Sequence, residues 1–396
     1  MKKNKYIERV TSFLSIVLGW LIVAPLSLFF PRKKGLITLI GRNATFYSDN
    51  TKYFNNFLLN IKYKDAYFLF EKRNSITESV PNHIYYPGLK AIYILLRSEY
   101  LIVDTSTWFY NLKYFFAVKS KKIQLWHGVS SKKIEMSTEQ FQRGLLRNIK
   151  KLYGILRGQL IRFRLIVSTS DYYTKHLYSD AFRYHEILPL GQPRTDIFFR
   201  ELNALDFINT DKPLLDRLMQ SQSREKNKII LYTPTYRDYL SMDLLDFELI
   251  NRFCRDNNMV FVLKYHILSS LPETGNYSNV FVYDQSKDIY PLMTITDVMV
   301  TDYSSIYLDY LLTDKPVIFY VPDYEDYQKH EVGLRPDFYE TSPGNKILNQ
   351  DDLMQALLEI NNGADEFAKQ RKQILDLSFK HKDGKASRRL FDYLAQ

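Results

Sequence analysis

The chain has 396 residues, 45% hydrophobic and 15% aromatic, and carries a formal net charge of +10. That length suits two or three domains of ordinary size, and the basic surplus points to anionic partners. One cysteine, Cys254, excludes an intrachain disulfide framework and a multi-cysteine zinc site.

Residues 11–30 contain no charged side chain. As a helix they are just long enough to span about 30 Å of hydrocarbon. Lys2, Lys3, Lys5 and Arg9 precede the stretch and Arg32, Lys33 and Lys34 follow it, so basic residues on both sides leave its orientation open. Pro25 is expected to kink or shorten the helix. No small-x-small cleavage pattern follows. The reading is an uncleaved anchor within residues 1–34, spanning or re-entrant, that keeps the globular part at the cytoplasmic face of a membrane. A hydrophobic helix docked on its own domain is the alternative.

Short apolar runs then alternate with helical patterns. Strands are predicted over 36–40, 66–70, 100–103, 122–125, 165–168 and 186–190, with helices over 51–60 and 90–98 between them. Strands separated by helices indicate βαβ units and a parallel sheet. Between Lys113 and Arg164 there are thirteen Lys or Arg against two acids, Glu135 and Glu139. Within that stretch, residues 143–157 place leucines and isoleucines at helical spacing among basic residues, the pattern of a helix lying on an anionic membrane surface. A surface helix packed on its own domain fits equally. Nucleic acid is the weaker partner, because no zinc finger, RNP-type strand or basic-region heptad is present.

A polar stretch over 203–228, with a helix at 212–220, separates a second series. Its strands are predicted over 228–232, 260–264, 280–283, 298–301 and 316–320, with helices over 244–256 and 289–294. The economical reading is α/β: two Rossmann-type doubly wound domains, 35–205 and 206–365, with a cleft between them where ligands bind beyond the strand ends. Residues 366–396 are mostly helical and are expected to cross back to the first domain.

The segments with chemical character sit at strand ends. Thr301-Asp302-Tyr303-Ser304-Ser305 leaves one strand and opens a helix over 306–312, where free backbone N–H groups attract phosphate; ordinary capping by Ser305 is the simpler explanation of the serine pair. Trp126-His127-Gly128 places His127 at a sheet edge, where an imidazole can take a proton from a hydroxyl. Lys132 and Lys133 follow it as point charges suited to phosphate. Lys264-Tyr265-His266 ends a strand of the second domain, so two histidines, one per domain, could meet across the cleft. In Thr233-Pro234-Thr235-Tyr236-Arg237-Asp238 the guanidinium of Arg237 can clamp phosphate and Thr235 can donate a hydroxyl. Gly191-Gln192-Pro193-Arg194-Thr195-Asp196 offers Arg194 as a further phosphate contact, while Asp196 reads as a helix cap. The absence of Gly-x-Gly-x-x-Gly, P-loop, His-Glu-x-x-His and Gly-x-Ser-x-Gly argues against fingerprint hydride transfer, P-loop NTP hydrolysis, zinc proteolysis and hydrolase-type esterases.

The ordered set Trp126-His127-Gly128, Gly191-x-Pro193-Arg194-x-Asp196, Thr235-Tyr236-Arg237-Asp238, His266 and Thr301-Asp302-Tyr303-Ser304-Ser305 resembles the CDP-glycerol glycerophosphotransferase family of teichoic-acid and capsular-polymer synthesis. Ser48-Asp49-Asn50-Thr51-Lys52-Tyr53 and Asp383-Gly384-Lys385-Ala386-Ser387 extend the likeness, which covers about residues 35–389. The resemblance implies a GT-B-like fold and a CDP-glycerol donor held by the second domain, with no metal and no other cofactor. The membrane anchor and basic face suit a polyisoprenyl-pyrophosphate-linked saccharide as acceptor and an anionic membrane surface as partner, with a homo-oligomer left open. His127 would be the general base that lets the acceptor hydroxyl attack the β-phosphorus and expel CMP, and His266 would stabilise the departing phosphate. Ser304, Ser305, Asp302, Thr301, Arg237, Thr235, Lys264 and Arg335 would hold the donor; Lys132, Lys133 and Arg194 would meet the acceptor. Val129-Ser130 after the first histidine and Ile267 after the second depart from the family pattern and leave the alditol open, CDP-ribitol included. A GT-B glycosyltransferase, a nucleotide-sugar epimerase and a non-catalytic membrane-associated module are the rival classes.

Overall fold

The computed structural model describes residues 5–71, 79–110, 112–128, 134–137, 147–156, 158–237, 245–267, 269, 277–330, 338 and 342–396. Two all-parallel sheets organise them. The first has the order β3-β2-β1-β4-β5-β6-β7, with β1 Lys33–Ile40, β2 Ala66–Phe70, β3 His83–Tyr85, β4 Ser98–Val103, β5 Lys121–Gln124, β6 Arg162–Val167 and β7 Arg183–Leu188. The second has the order β10-β9-β8-β11-β12-β13, with β8 Lys228–Thr233, β9 Met259–Leu263, β10 Val280–Val282, β11 Val298–Thr301, β12 Val317–Tyr320 and β13 Lys346–Ile347. Together they make a GT-B-like pair of Rossmann-type domains.

The central strands are buried on both faces, as parallel strands under helices must be, while the edge strand β7 is only partly covered. Leu36 and Ile40 of β1 pack into one core while Ile37 and Leu39 pack into the opposite one. Ile229 and Leu231 of β8 divide from Ile230 and Tyr232 in the same way. This period of two leaves no polar face for water. β3 and β13, three and two residues long, escaped the sequence reading because strands so short show no periodicity.

Each sheet reverses its winding once, between β1 and β4 in the first and between β8 and β11 in the second. Crevices open beyond the carboxyl ends of strands at such points. The domains are pinned beside them by the helix Asp49–Asn60. Its Lys52 Nζ, fully buried, donates to Asp288 Oδ2 at 2.7 Å and to the carbonyls of Asp206 and Ile208, and Tyr53 Oη donates to the same carboxylate. The last helix, Ala386–Leu394, returns to the first sheet, where Leu390 and Leu394 join the core of Ile37 and Leu39. Asp196 accepts the N–H groups of Ala386 and Ser387, both at 2.8 Å. It therefore caps a helix 190 residues away rather than the turn that follows it.

The amino-terminal segment is helical from Lys5 to Leu18, widens into a π turn over Gly19–Val23 and resumes over Ala24–Ser27. The wide turn lies just ahead of Pro25, which has no N–H to offer Leu21, and Ala24 N reaches back to Gly19 O instead. Ser12, Gly19 and Ser27 face the domain. Gly19 lies so close to the Phe115 ring that no side chain would fit. The large apolar residues point away, with Phe13 62%, Leu21 71% and Phe29 80% exposed. Among the described residues one helix, Val10–Ser27, is long and apolar enough to cross a membrane. It is docked along the domain, yet it is not a core helix, because only 17% of that window is buried.

Candidate active site

The first sheet brings three strand ends together. Beyond β5, Trp126 takes a left-handed φ of 59° and Gly128 a φ of 135°, so the chain doubles back and presents His127. Asn50 Nδ2 holds the turn by donating to Trp126 O at 2.7 Å. Gly128 lies against Arg194, where a Cβ would stand 3.0 Å from Nη2. The half-buried His127 ring tilts over Trp126 at 4.2 Å between centroids, with Nδ1 3.4 Å from Asp104 O. A proton on Nδ1 leaves Nε2 with the lone pair a base needs. Burial pushes the imidazole down to about 4; Asp49 opposes this, and Arg42 and Arg194 add to it. Asp104, beyond β4, is buried and accepts from Thr51 Oγ1 at 2.5 Å. Burial and neighbouring Asp49 hold its carboxyl well above the usual range.

Arg42, beyond β1, is exposed. Its positive charge acts on both histidines: it is among the causes that lower His127, and after burial the first that lowers His266. Half-buried His266 lies beyond β9, 5.9 Å from the Tyr236 ring.

In the second domain, Asp302 organises the switch point. Wholly buried, it accepts from Thr235 N at 2.8 Å, Thr235 Oγ1 at 2.6 Å, Ser304 N at 3.2 Å and Arg237 Nη1 at 2.7 Å. Arg237 completes its fork on Asp323, with Nε at 2.6 Å and Nη2 at 3.0 Å. Ser305 stands at the N-cap without making a capping bond from its side chain. That removes the simple capping explanation. Among the described residues, neither serine hydroxyl has a hydrogen-bond partner, so both are available to a ligand.

Several sequence expectations are corrected by these partners. Arg237 was expected to clamp phosphate, but its donors are engaged by Asp302, Asp323 and the Thr235 carbonyl. It braces the donor-side turn instead. Thr235 and Asp302 bond each other within that brace, and Thr301 is buried with its hydroxyl against Thr233. Lys264 Nζ donates to the carbonyls of Asp284 and Gln285 at 2.7 and 2.8 Å, and burial pushes it down to about 8. Arg194, expected at the acceptor, is buried between Asp49 at 2.5 Å and Asp309 at 2.6 Å, across the face of Tyr290. It ties the His127 loop to the helix that follows Ser305. Lys132, Lys133 and Arg335 lie outside the described residues. Sequence reasoning missed Arg42, Asp104 and Asp323; the strand ends preceding Arg42 and Asp104 were the available signal, and Asp323 had none.

A family model described as CDP-glycerol:poly(glycerophosphate) glycerophosphotransferase matches residues 22–396. The chain is similar to a teichoic acid poly(glycerol phosphate) polymerase of Bacillus spizizenii, 26% identical over 389 residues, 91% of this chain and 90% of that protein. It is also similar to the teichoic acid ribitol-phosphate polymerase TarL of Staphylococcus aureus, 30% identical over 75% of this chain but 51% of that protein. Among solved structures it resembles the wall teichoic acid polymerase TagF, with a TM-score of 0.75 at 21% identity, covering 98% of this chain and 94% of that one.

Proposed function

The chain belongs to the CDP-glycerol:poly(glycerophosphate) glycerophosphotransferase family, and from that premise we propose how its cleft performs the transfer. The protein is a glycerophosphotransferase of teichoic acid synthesis that takes glycerol phosphate from CDP-glycerol. His127 Nε2 removes the proton of the acceptor hydroxyl. The freed oxygen attacks the β-phosphorus, the bond to the bridging oxygen breaks, and CMP leaves with the electron pair. His266 meets the departing phosphate from the second domain. Ser304 and Ser305 hold the pyrophosphate with their hydroxyls and backbone N–H groups. Phosphoryl transfer is mainly positioning and charge neutralisation, so a single base and fixed donors suffice. The observation that carries this reading is the serine pair, whose hydroxyls are left without partners among the described residues at the switch point of the second sheet, while Asp302, Thr235 and Arg237 beside it are engaged.

A histidine held near 4 is neutral at physiological pH, which a base must be, but it is a weak one. The anionic charge of a bound donor raises its proton affinity toward the working range. Base strength then arises only once the donor is in place.

The acceptor is proposed to arrive from the bilayer at the cytoplasmic face. The helix Arg147–Leu156 lies beside the helix 5–27, where Tyr153 Oη bonds Ser12 Oγ at 3.1 Å, and it too exposes apolar side chains. Ile149 is 65% exposed on that second helix, next to exposed Lys150. Small residues facing the protein and large apolar ones facing out make a plate that lies in the headgroup region rather than a span. A lipid-linked saccharide in that layer would present its hydroxyl to the first domain.

The test is CMP release from CDP-glycerol by the purified full-length chain on vesicles, with and without lipid-linked saccharide, beside CDP-ribitol and common nucleotide sugars. Acceptor-dependent CMP from CDP-glycerol is expected; turnover of a nucleotide sugar instead would refute the donor assignment.

A further inference from the structure

We propose that Arg42 is a catalytic residue of this transfer, its guanidinium binding the non-bridging oxygens of the phosphoryl group as that group passes from CMP to the acceptor. The inference rests on the glycerophosphotransferase reading and goes beyond it by assigning the group that neutralises the charge in flight.

Arg42 is the second residue beyond β1, the strand that borders the switch point of the first sheet. The turn that carries it is unusual. Asn43 and Ala44 both hold left-handed φ angles, 55° and 53°, which residues other than glycine seldom adopt. Three bonds fix this conformation: Ala44 N to Gly41 O, Glu71 N to Ala44 O, and Thr107 Oγ1 to Asn43 Oδ1. Ala44 is wholly buried, so the backbone on one side of Arg42 is anchored while its side chain is turned outward. The chain tolerates a strained turn here, and the product of that turn is a projected guanidinium.

The other arginines at the cleft differ. Arg194 and Arg237 are each engaged by two carboxylates. Among the described residues the Arg42 guanidinium has no hydrogen-bond or ion-pair partner. β1 pairs with β4 and β4 with β5, so Arg42 leaves the same carboxyl edge that carries Asp104 and His127, and its charge is among the causes that lower both His127 and His266. A phosphoryl group received at that edge meets a projected guanidinium there. The planar fork suits two oxygens of one phosphate. The step balances without a co-reactant: the acceptor O–H proton goes to His127, the new O–P bond forms, the old P–O bond breaks, and the equatorial oxygens gather the charge that Arg42 offsets.

The experiment compares wild type, Arg42→Gln and Arg42→Lys as full-length chains on vesicles with CDP-glycerol and lipid-linked acceptor, between pH 4 and pH 9. Arg42→Gln is expected to lower kcat by at least about 100-fold, as loss of a transition-state donor does, without changing the melting temperature. Arg42→Lys should recover part of the loss. The acid limb of kcat/KM should move to higher pH in Arg42→Gln, because both imidazoles lose a neighbouring cation. Around His127 the other groups, Asp49, Arg194 and the Asp104 carbonyl, stay in place, as does Lys264 near His266. A kcat within threefold of wild type and an unmoved acid limb would overturn the inference. So would a change confined to the KM of the acceptor, which would place Arg42 on a phosphate of the growing chain. Wild type that releases no CMP from CDP-glycerol overturns the parent reading together with this one, whereas normal wild-type turnover unchanged in Arg42→Gln overturns this one alone.

Discussion

The two strand edges that form the cleft are built on opposite electrostatic plans. At the second sheet, Arg237 lies between Asp302 and Asp323, and Asp302 in turn fixes Thr235 and Ser304. Among the described residues Arg237, Asp302 and Asp323 are paired, and what is left over is a pair of hydroxyls. At the first sheet, His127 stands half-buried under an exposed Arg42, with Asp104 and Asp49 behind it. One edge is a cradle of charges locked on one another; the other presents an exposed cation beside a half-buried imidazole. A rigid cradle suits a substrate that must not shift, and a titratable edge suits a proton transfer. Arg194 joins the two, reaching Asp49 on one side and Asp309 on the other.

Substitutions should separate these plans, and the largest effect falls at the titratable edge. His127→Ala should cut turnover by about 100- to 10,000-fold, the usual range for a general base, with CDP-glycerol binding by calorimetry and the thermal melt both near wild type. Near-normal turnover would remove the base assignment.

Breaking the paired charges should act on stability instead. Arg194→Met and Arg237→Met each leave two buried carboxylates without their cation, at a cost of about 3–5 kcal/mol, read by urea unfolding. Arg237→Met should also weaken CDP-glycerol binding. If either variant proves as stable as wild type, that arginine does not brace its edge.

The first domain also carries the apolar plate. Leu21→Glu combined with Phe29→Glu should reduce vesicle partitioning by at least about 100-fold, from the loss of two exposed apolar anchors, while soluble protein still binds CDP-glycerol. Unchanged co-sedimentation would argue for another membrane contact.

Smaller effects are expected at the cradle hydroxyls. Ser304→Ala and Ser305→Ala should each raise the KM for CDP-glycerol by about tenfold, one hydrogen bond to a charged group; an unchanged KM in both would free the serines from the donor.

The last effect is on pH. His127 is held near 4 when folded, against about 6.5 in an unfolded chain. The unfolded state then binds more protons between those values, so stability rises with pH across that window and is lost on acidification toward 4. His127→Gln should flatten this slope in unfolding experiments at pH 4–7, and a slope unchanged by the substitution would show that the ring is not held neutral by burial.

Much of the architecture was legible. The runs at 66–70 and 298–301 are strands with the bounds the sequence indicates, and the helix at 212–220 is likewise as read, because an apolar run bounded by turn residues carries its own register. The positions of His127, His266, Ser304 and Ser305 at sheet edges were legible for the same reason. The roles of the arginines were not. Arg194 and Arg237 read locally as phosphate clamps, yet their partners Asp309 and Asp323 lie 115 and 86 residues away.

The sequence by itself determined the order of strands and helices, the family, and which polar side chains emerge at strand ends, since these depend on local periodicity and motif. Only the tertiary structure decided which of those side chains are left for a substrate. An ion pair depends on separation and burial in space, and no neighbouring residue encodes that a carboxylate from a distant loop will arrive. The same holds for the apolar helix at the start of the chain. Its composition marks it for a membrane, but its orientation follows from the close fit of Gly19 against Phe115, a contact that exists only once both have folded.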